Sequence, residues 1–158
     1  MFKYRIPQLL QFVAGNYTWK VKTTDKKLFL TFDDGPHPLI TPWVLTQLAQ
    51  YQAKATFFCV GDNVRKFPEN YAEILSYQHS VGNHTYHHLN GWRTNTEDYM
   101  KDVKEAAQWI HSPLFRPPYG RVKPAQVSKI KLDFQIIMWN FLSCDYEPNL
   151  NREKSLMQ

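Results

Sequence analysis

The chain has 158 residues, 43% of them hydrophobic and 21% charged, so it is long enough to bury a core and too apolar to be disordered. Nineteen Lys and Arg against fourteen Asp and Glu leave a net charge of +5, scattered rather than clustered on one stretch, which excludes nucleic acid as a partner. No apolar run approaches the roughly 20 residues of a membrane span, so no stable membrane insertion is expected, and two cysteines, Cys59 and Cys144, do not make a disulfide framework.

The chain opens with Lys3 and Arg5 before IPQLLQFVAG, where Pro7, Gln8 and Gln11 interrupt the apolar run, so no clear signal peptide is seen. Residues 1–26 read as an N-terminal extension. Its YTWKVKT stretch (17–23) alternates, TDKK breaks it, and LFLTF (28–32) resumes, a pattern that predicts a hairpin feeding a buried strand. Thr41 followed by Pro42 predicts a helix start, with Thr41 as N-cap and Val44, Leu45, Leu48 and Tyr51 on one face. ATFFCV (55–60) is a continuous β-type run closed by Gly61. Pro68 opens a second helix with Tyr71, Ile74 and Leu75 on one side. SVGNH (80–84) is a short strand and turn. Residues 96–110 form the clearest helix, with Tyr99, Val103, Ala106, Ala107 and Ile110 facing inward. LFRPPYG (114–120) is a strand end breaking into a Pro-rich loop, Pro124 starts another helix, and FQIIMWNFL (134–142) is the next buried strand.

Continuous apolar strands alternating with amphipathic helices predict a parallel α/β sheet, whose chemistry gathers at the carboxyl ends of the strands. The polar clusters fall at those ends: Asp33 and Asp34, then His84 to His88, then Arg116, then Asp145. In NHTYHH (83–88), His84 and His88 are four apart, a spacing that brings both imidazoles to one side of a turn. Two imidazoles and one carboxylate are a common set for a catalytic Zn²⁺ with an open position. His87 is left over and is assigned packing or hydrogen bonding. Two adjacent aspartates repel unless something positive is near. A metal held by one of them resolves this and leaves the other as a base for an activated water.

TFDDG (31–35), His84-Thr85-x-x-His88 and Arg116-Pro117-Pro118-Tyr119, in this order, resemble the polysaccharide deacetylases, the carbohydrate esterases that share the NodB homology domain. KATFFCVGDNV and VGNHTYHH are similar to this family as well. The resemblance spans Lys27 to Tyr146. It implies a distorted (β/α) barrel that removes acetyl groups from N-acetylated glycans with a divalent metal, Zn²⁺ foremost, with Co²⁺ or Mn²⁺ as alternatives. It implies Asp33 as catalytic base, Asp34, His84 and His88 as metal ligands, Arg116 as the partner that orients Asp33, and the Tyr119 N–H as an oxyanion donor. Pro117, Pro118, Asp145 and Tyr146 are assigned to substrate binding. The family often has an acid where this chain has Leu142.

Counting from Lys27, about 130 residues remain, fewer than the 200 or more of a full (β/α) barrel. Residues 27–158 are therefore expected to be a NodB-like catalytic domain truncated at the C-terminus, without the last strands and without the family's terminal His motif. The leading substrate is peptidoglycan N-acetylglucosamine or N-acetylmuramic acid, followed by chitin oligomers and O-acetyl xylan. The alternatives are a catalytically impaired glycan-binding relic of the fold and a small-amide hydrolase. Phosphoryl transfer is disfavoured by the histidine pair and the want of a Gly-rich phosphate loop. No protein partner is expected, and the resemblance implies an extracytoplasmic or cell-envelope location.

Overall fold

A computed structural model describes residues 17–144. Two compact units divide the chain. Residues Thr23–Ile136 form one, and the segments to either side form the other. In the flanking unit Thr18 and Ile137 make a parallel bridge, reinforced by the Met138 N–H donating to the Thr18 carbonyl at 2.9 Å. The ring of Tyr17 meets that of Trp19 edge-on at 5.9 Å.

The main unit is one five-stranded sheet. β1 (Leu30–Asp33), β2 (Ala55–Cys59), β3 (Ser80–Asn83), β4 (Leu114–Phe115) and β5 (Gln135–Ile136) lie in sequence order, and every pair is parallel. The crossovers carry α1 (Ile40–Gln50), α2 (Gly61–Lys66) with α3 (Pro68–Ser76), α4 (Thr96–Ala107) and α5 (Pro124–Ile130). Parallel strands in strictly sequential order send every crossover the same way along the sheet. That is the winding of a (β/α) barrel, not of a doubly wound sheet, whose strand order reverses.

Strand alternation sorts the aromatic residues of β2 to the two faces. Phe57 joins the core beneath the helices, stacked on Phe32 at 5.2 Å and clustered with Val44, Leu45, Leu48, Ile74, Val81 and Ala106. Phe58 points the other way and is fully buried. Its register partner is Gly82, where a Cβ would lie 2.4 Å from the Phe58 ring, so only glycine leaves room for it.

Three expectations are corrected. No hairpin precedes β1: among the described residues, the segment 17–23 pairs only through the Thr18 bridge, and residues 20–29 are exposed throughout. An alternating pattern that buries neither face supplies no drive for a two-stranded ribbon, which is marginal by itself. α1 begins at Ile40, so Thr41 lies inside its first turn instead of capping it. The His37 Nδ1 takes the cap role, accepting from the N–H groups of Leu39 and Ile40 at 3.2 Å each, while the Thr41 Oγ1 accepts from the His37 N–H at 2.8 Å. The last strand is also shorter than FQIIMWNFL suggests, with only Gln135 and Ile136 in the sheet.

Candidate metal centre at the strand ends

Register sets the site. Asp33 pairs with Phe58, Cys59 with Asn83, and Asn83 with Phe115, so the residues that follow each strand emerge at one level. Asp34, His84 and Arg116 are three such residues from three different strands.

His84 is 2% exposed, and its Nδ1 lies 2.7 Å from the Arg116 carbonyl. A carbonyl only accepts, so Nδ1 carries the proton and Nε2 is left with a lone pair. That Nε2 lies 3.3 Å from the Asp34 Oδ1, and the His88 Nε2 lies 3.0 Å from the same oxygen. A lone pair facing a carboxylate oxygen is repulsive unless positive charge is present. The donor set therefore fits a cation: two imidazole nitrogens and one carboxylate oxygen, all within 4.8 Å of one another, with one ring oriented from behind by a backbone carbonyl.

Asp33 sits beside this group. The Arg116 Nη1 donates to the Asp33 Oδ1 at 2.7 Å and to the Thr31 Oγ1 at 2.8 Å. The guanidinium is 2% exposed and rests 4.1 Å above the Phe58 ring. Burial lowers its pKa from the ordinary arginine value, and the charge of Asp33 opposes that. β4 thus serves the site twice, through the Arg116 carbonyl on His84 and the Arg116 side chain on Asp33.

Tyr119 follows in a short 3-10 turn (Pro118–Gly120) at φ 59°, with its ring 4.6 Å from that of His88. The N–H groups of Gly120 and Arg121 close turns onto Pro117 and Pro118, whereas the Tyr119 N–H donates to nothing among the described residues. Asp34, Thr85, His88 and Tyr119 are four of the seven non-glycine described residues with positive φ, so backbone strain is concentrated here. Each costs roughly 1–2 kcal/mol, which the surroundings must offset. A cleft of about 360 Å³ opens beside Asp34 and His88, lined also by Val60, Asp62, Asn63, Tyr86 and His87, large enough for a sugar residue.

Asp33, Asp34, His84, His88, Arg116 and Tyr119 thus come together as expected from their strand-end positions. Pro117 and Pro118 do not line the cleft. Both are buried, in the loop between Arg116 and Tyr119. Asp145 and Tyr146 lie outside the described residues. Sequence reasoning missed Thr31, which shares the Arg116 guanidinium, and Asn63, whose Nδ2 donates to the Asp34 carbonyl at 2.8 Å. It also missed Asn83 and Asp102, which hold the histidine loop from beneath. Asp102 had a visible signal, a carboxylate one position before Val103 on the inward face of an amphipathic helix. His87, the spare histidine, bonds Asp102 at 2.6 Å.

A family profile described as polysaccharide deacetylase matches residues 20–134. A peptidoglycan-N-acetylglucosamine deacetylase of Bacillus cereus is 37% identical over 134 residues, which cover 81% of this chain and 63% of that protein. A peptidoglycan-N-acetylmuramic acid deacetylase of Bacillus subtilis is 32% identical over 126 residues, covering 76% of this chain and 27% of that protein. The crystal structure of a peptidoglycan N-acetylglucosamine deacetylase in complex with a naphthalenyl N-hydroxybenzamide superposes with a TM-score of 0.77 at 31% identity, covering 85% of this chain and 65% of that one. The chain therefore spans less than two thirds of the length of each of these relatives.

Proposed function

Because this chain belongs to the polysaccharide deacetylase family, we propose that it hydrolyses the acetamido groups of N-acetylated glycans, with peptidoglycan N-acetylglucosamine as the leading substrate and N-acetylmuramic acid next. The observation that carries the reading is the cation-fitting group of Asp34, His84 and His88 set beside an arginine-held carboxylate on the neighbouring strand end.

Asp34, His84 and His88 would hold the metal. Zn²⁺ suits two imidazoles and a carboxylate with open positions, and Co²⁺ or Mn²⁺ suits the same donors. A divalent cation there supplies Lewis-acid polarisation of the acetyl carbonyl and acidifies a water for attack. Arg116 holds Oδ1 of Asp33, which leaves Oδ2 to accept the proton of the attacking water. The Tyr119 N–H donates to the carbonyl oxygen as it gains negative charge, a contact of about 3 kcal/mol in comparable sites. The proton held on Asp33 then passes to the departing sugar amine as the C–N bond breaks, so acetate and a free amine leave. A peptidoglycan substrate places the reaction at the cell envelope. None of the described helices is long and apolar enough to cross a membrane.

The test is acetate release from an N-acetylated glycan by the metal-loaded protein and by Asp33→Asn. Loss of the base lowers the rate about 10²–10⁴-fold. Asp33 ligates no metal in this reading, so the metal content of the variant stays at the wild-type level. Equal rates in the two proteins would overturn the assignment.

A further inference from the structure

The segment Thr85–His88 carries a metal ligand at one end and follows directly on the other, His84. Thr85 and His88 both have positive φ, a conformation that a β-branched threonine rarely adopts, so the loop does not hold itself. Its backbone bonds go almost wholly to groups outside it. The carbonyls of Thr85 and Tyr86 accept from the N–H groups of Gly61 and Asp62 at the start of α2. The N–H of Thr85 goes to the Asn83 Oδ1 at 2.8 Å, and the Nδ2 of that same asparagine donates to the Val103 carbonyl in the middle of α4. The N–H groups of Tyr86 and His87 both go to the Asp102 Oδ2, at 2.8 and 3.0 Å, while the His87 Nδ1 meets the Asp102 Oδ1 at 2.6 Å.

Asp102 is only 5% exposed, and no lysine or arginine pairs with it among the described residues. A buried carboxylate is tolerated only where hydrogen bonds replace its water. Here all three donors come from the metal-ligand loop. We propose that Asp102 is a positioning residue whose carboxylate, bonded to two loop amides and the His87 ring, sets the placement of His88 relative to His84. The inference rests on the metal-site reading above.

His87, Asp102 and Glu105 also lie close enough to hold a cation of their own. Both oxygens of Asp102 and the Nδ1 of His87 are already engaged with each other and with the loop, so a cation would have to displace three short hydrogen bonds. The positioning role accounts for these contacts without one.

The experiment titrates Co²⁺ into the metal-free full chain and reads its affinity and its visible absorption band, with elemental analysis for stoichiometry. Asp102→Ala weakens Co²⁺ binding about 10- to 100-fold and alters the band, the usual effect of removing a partner behind the ligands. Asp102→Asn keeps an oxygen for the two amides and recovers most of that loss, leaving a several-fold deficit. A purely structural role lowers the melting temperature of the metal-free chain and leaves the band and affinity unchanged, which overturns the proposal. If Asp102→Ala does not fold, Asp102→Asn is the decisive variant, and wild-type affinity and band in it overturn the proposal. A second Co²⁺ equivalent in the wild type that disappears in His87→Ala overturns it in favour of a cation site. A wild-type chain that binds no Co²⁺ overturns the metal reading, and this inference with it. Wild-type binding with an unaffected Asp102→Ala overturns this inference alone.

Discussion

Replacing Arg116 with methionine keeps a long side chain over Phe58 and removes the charge. The guanidinium is 2% exposed, donates to the Asp33 Oδ1 and the Thr31 Oγ1, and lies 4.1 Å above the Phe58 ring. Taking away one member of a buried pair costs about 3–5 kcal/mol, because the remaining charge loses its compensation. Asp33 keeps 33% of its side-chain surface and can turn to water, which sets the expected loss at the lower end, about 3 kcal/mol. For a domain of this size that is a fall of roughly 10 °C in melting temperature. Arg116→Lys keeps a charge but has one nitrogen where the guanidinium presents a planar fork, so it recovers only part of the loss. The assay is thermal unfolding of the metal-free proteins, followed by acetate release from the metal-loaded ones. Freed from Arg116, Asp33 no longer holds its orientation, and turnover falls about 10²-fold. An Arg116→Met protein that melts within about 2 °C of wild type would refute the reasoning, since a shift that small corresponds to less than 1 kcal/mol.

Elemental analysis finds about one divalent cation per chain in the wild type and little in His88→Ala, because removing one of three protein donors from an open site sacrifices most of its affinity. Gly91→Ala destabilises the fold by about 1–3 kcal/mol by overpacking, since the new Cβ would lie 2.5 Å from the Arg121 carbonyl oxygen and 2.7 Å from the Gln126 Oε1, and chemical unfolding measures the loss. Burial pushes the Tyr71 hydroxyl and the Cys59 thiol up to about 12, from ordinary values of 10.0 and 9.0. Their neutral forms are therefore favoured in the fold. The associated stability is complete below pH 9 and is lost as pH rises toward 12, so melting temperature falls over that window and falls less steeply in Tyr71→Phe.

The periodicity of the chain was sufficient to identify a parallel α/β fold and most of its elements. ATFFC, SVGN and the helix beginning at Thr96 are each bounded by strong local signals, and local signals survive into the fold. The site was legible for a related reason. In a parallel sheet every strand ends at the same rim, so Asp33, Asp34, His84 and Arg116 had to converge once the strands were recognised. Pairing distant segments lay beyond local pattern. An alternating stretch at 17–23 looks the same whether it turns back as a hairpin or meets Ile137 in a bridge, and burial decides which occurs. The tautomer of His84, the seat of Arg116 on Phe58, and the hold of Asp102 on the histidine loop likewise belong to the tertiary structure. Each joins residues 15 or more positions apart, and their energies arise from buried hydrogen bonds and excluded water. Those depend on which surfaces the folded chain closes over, a property no single segment carries.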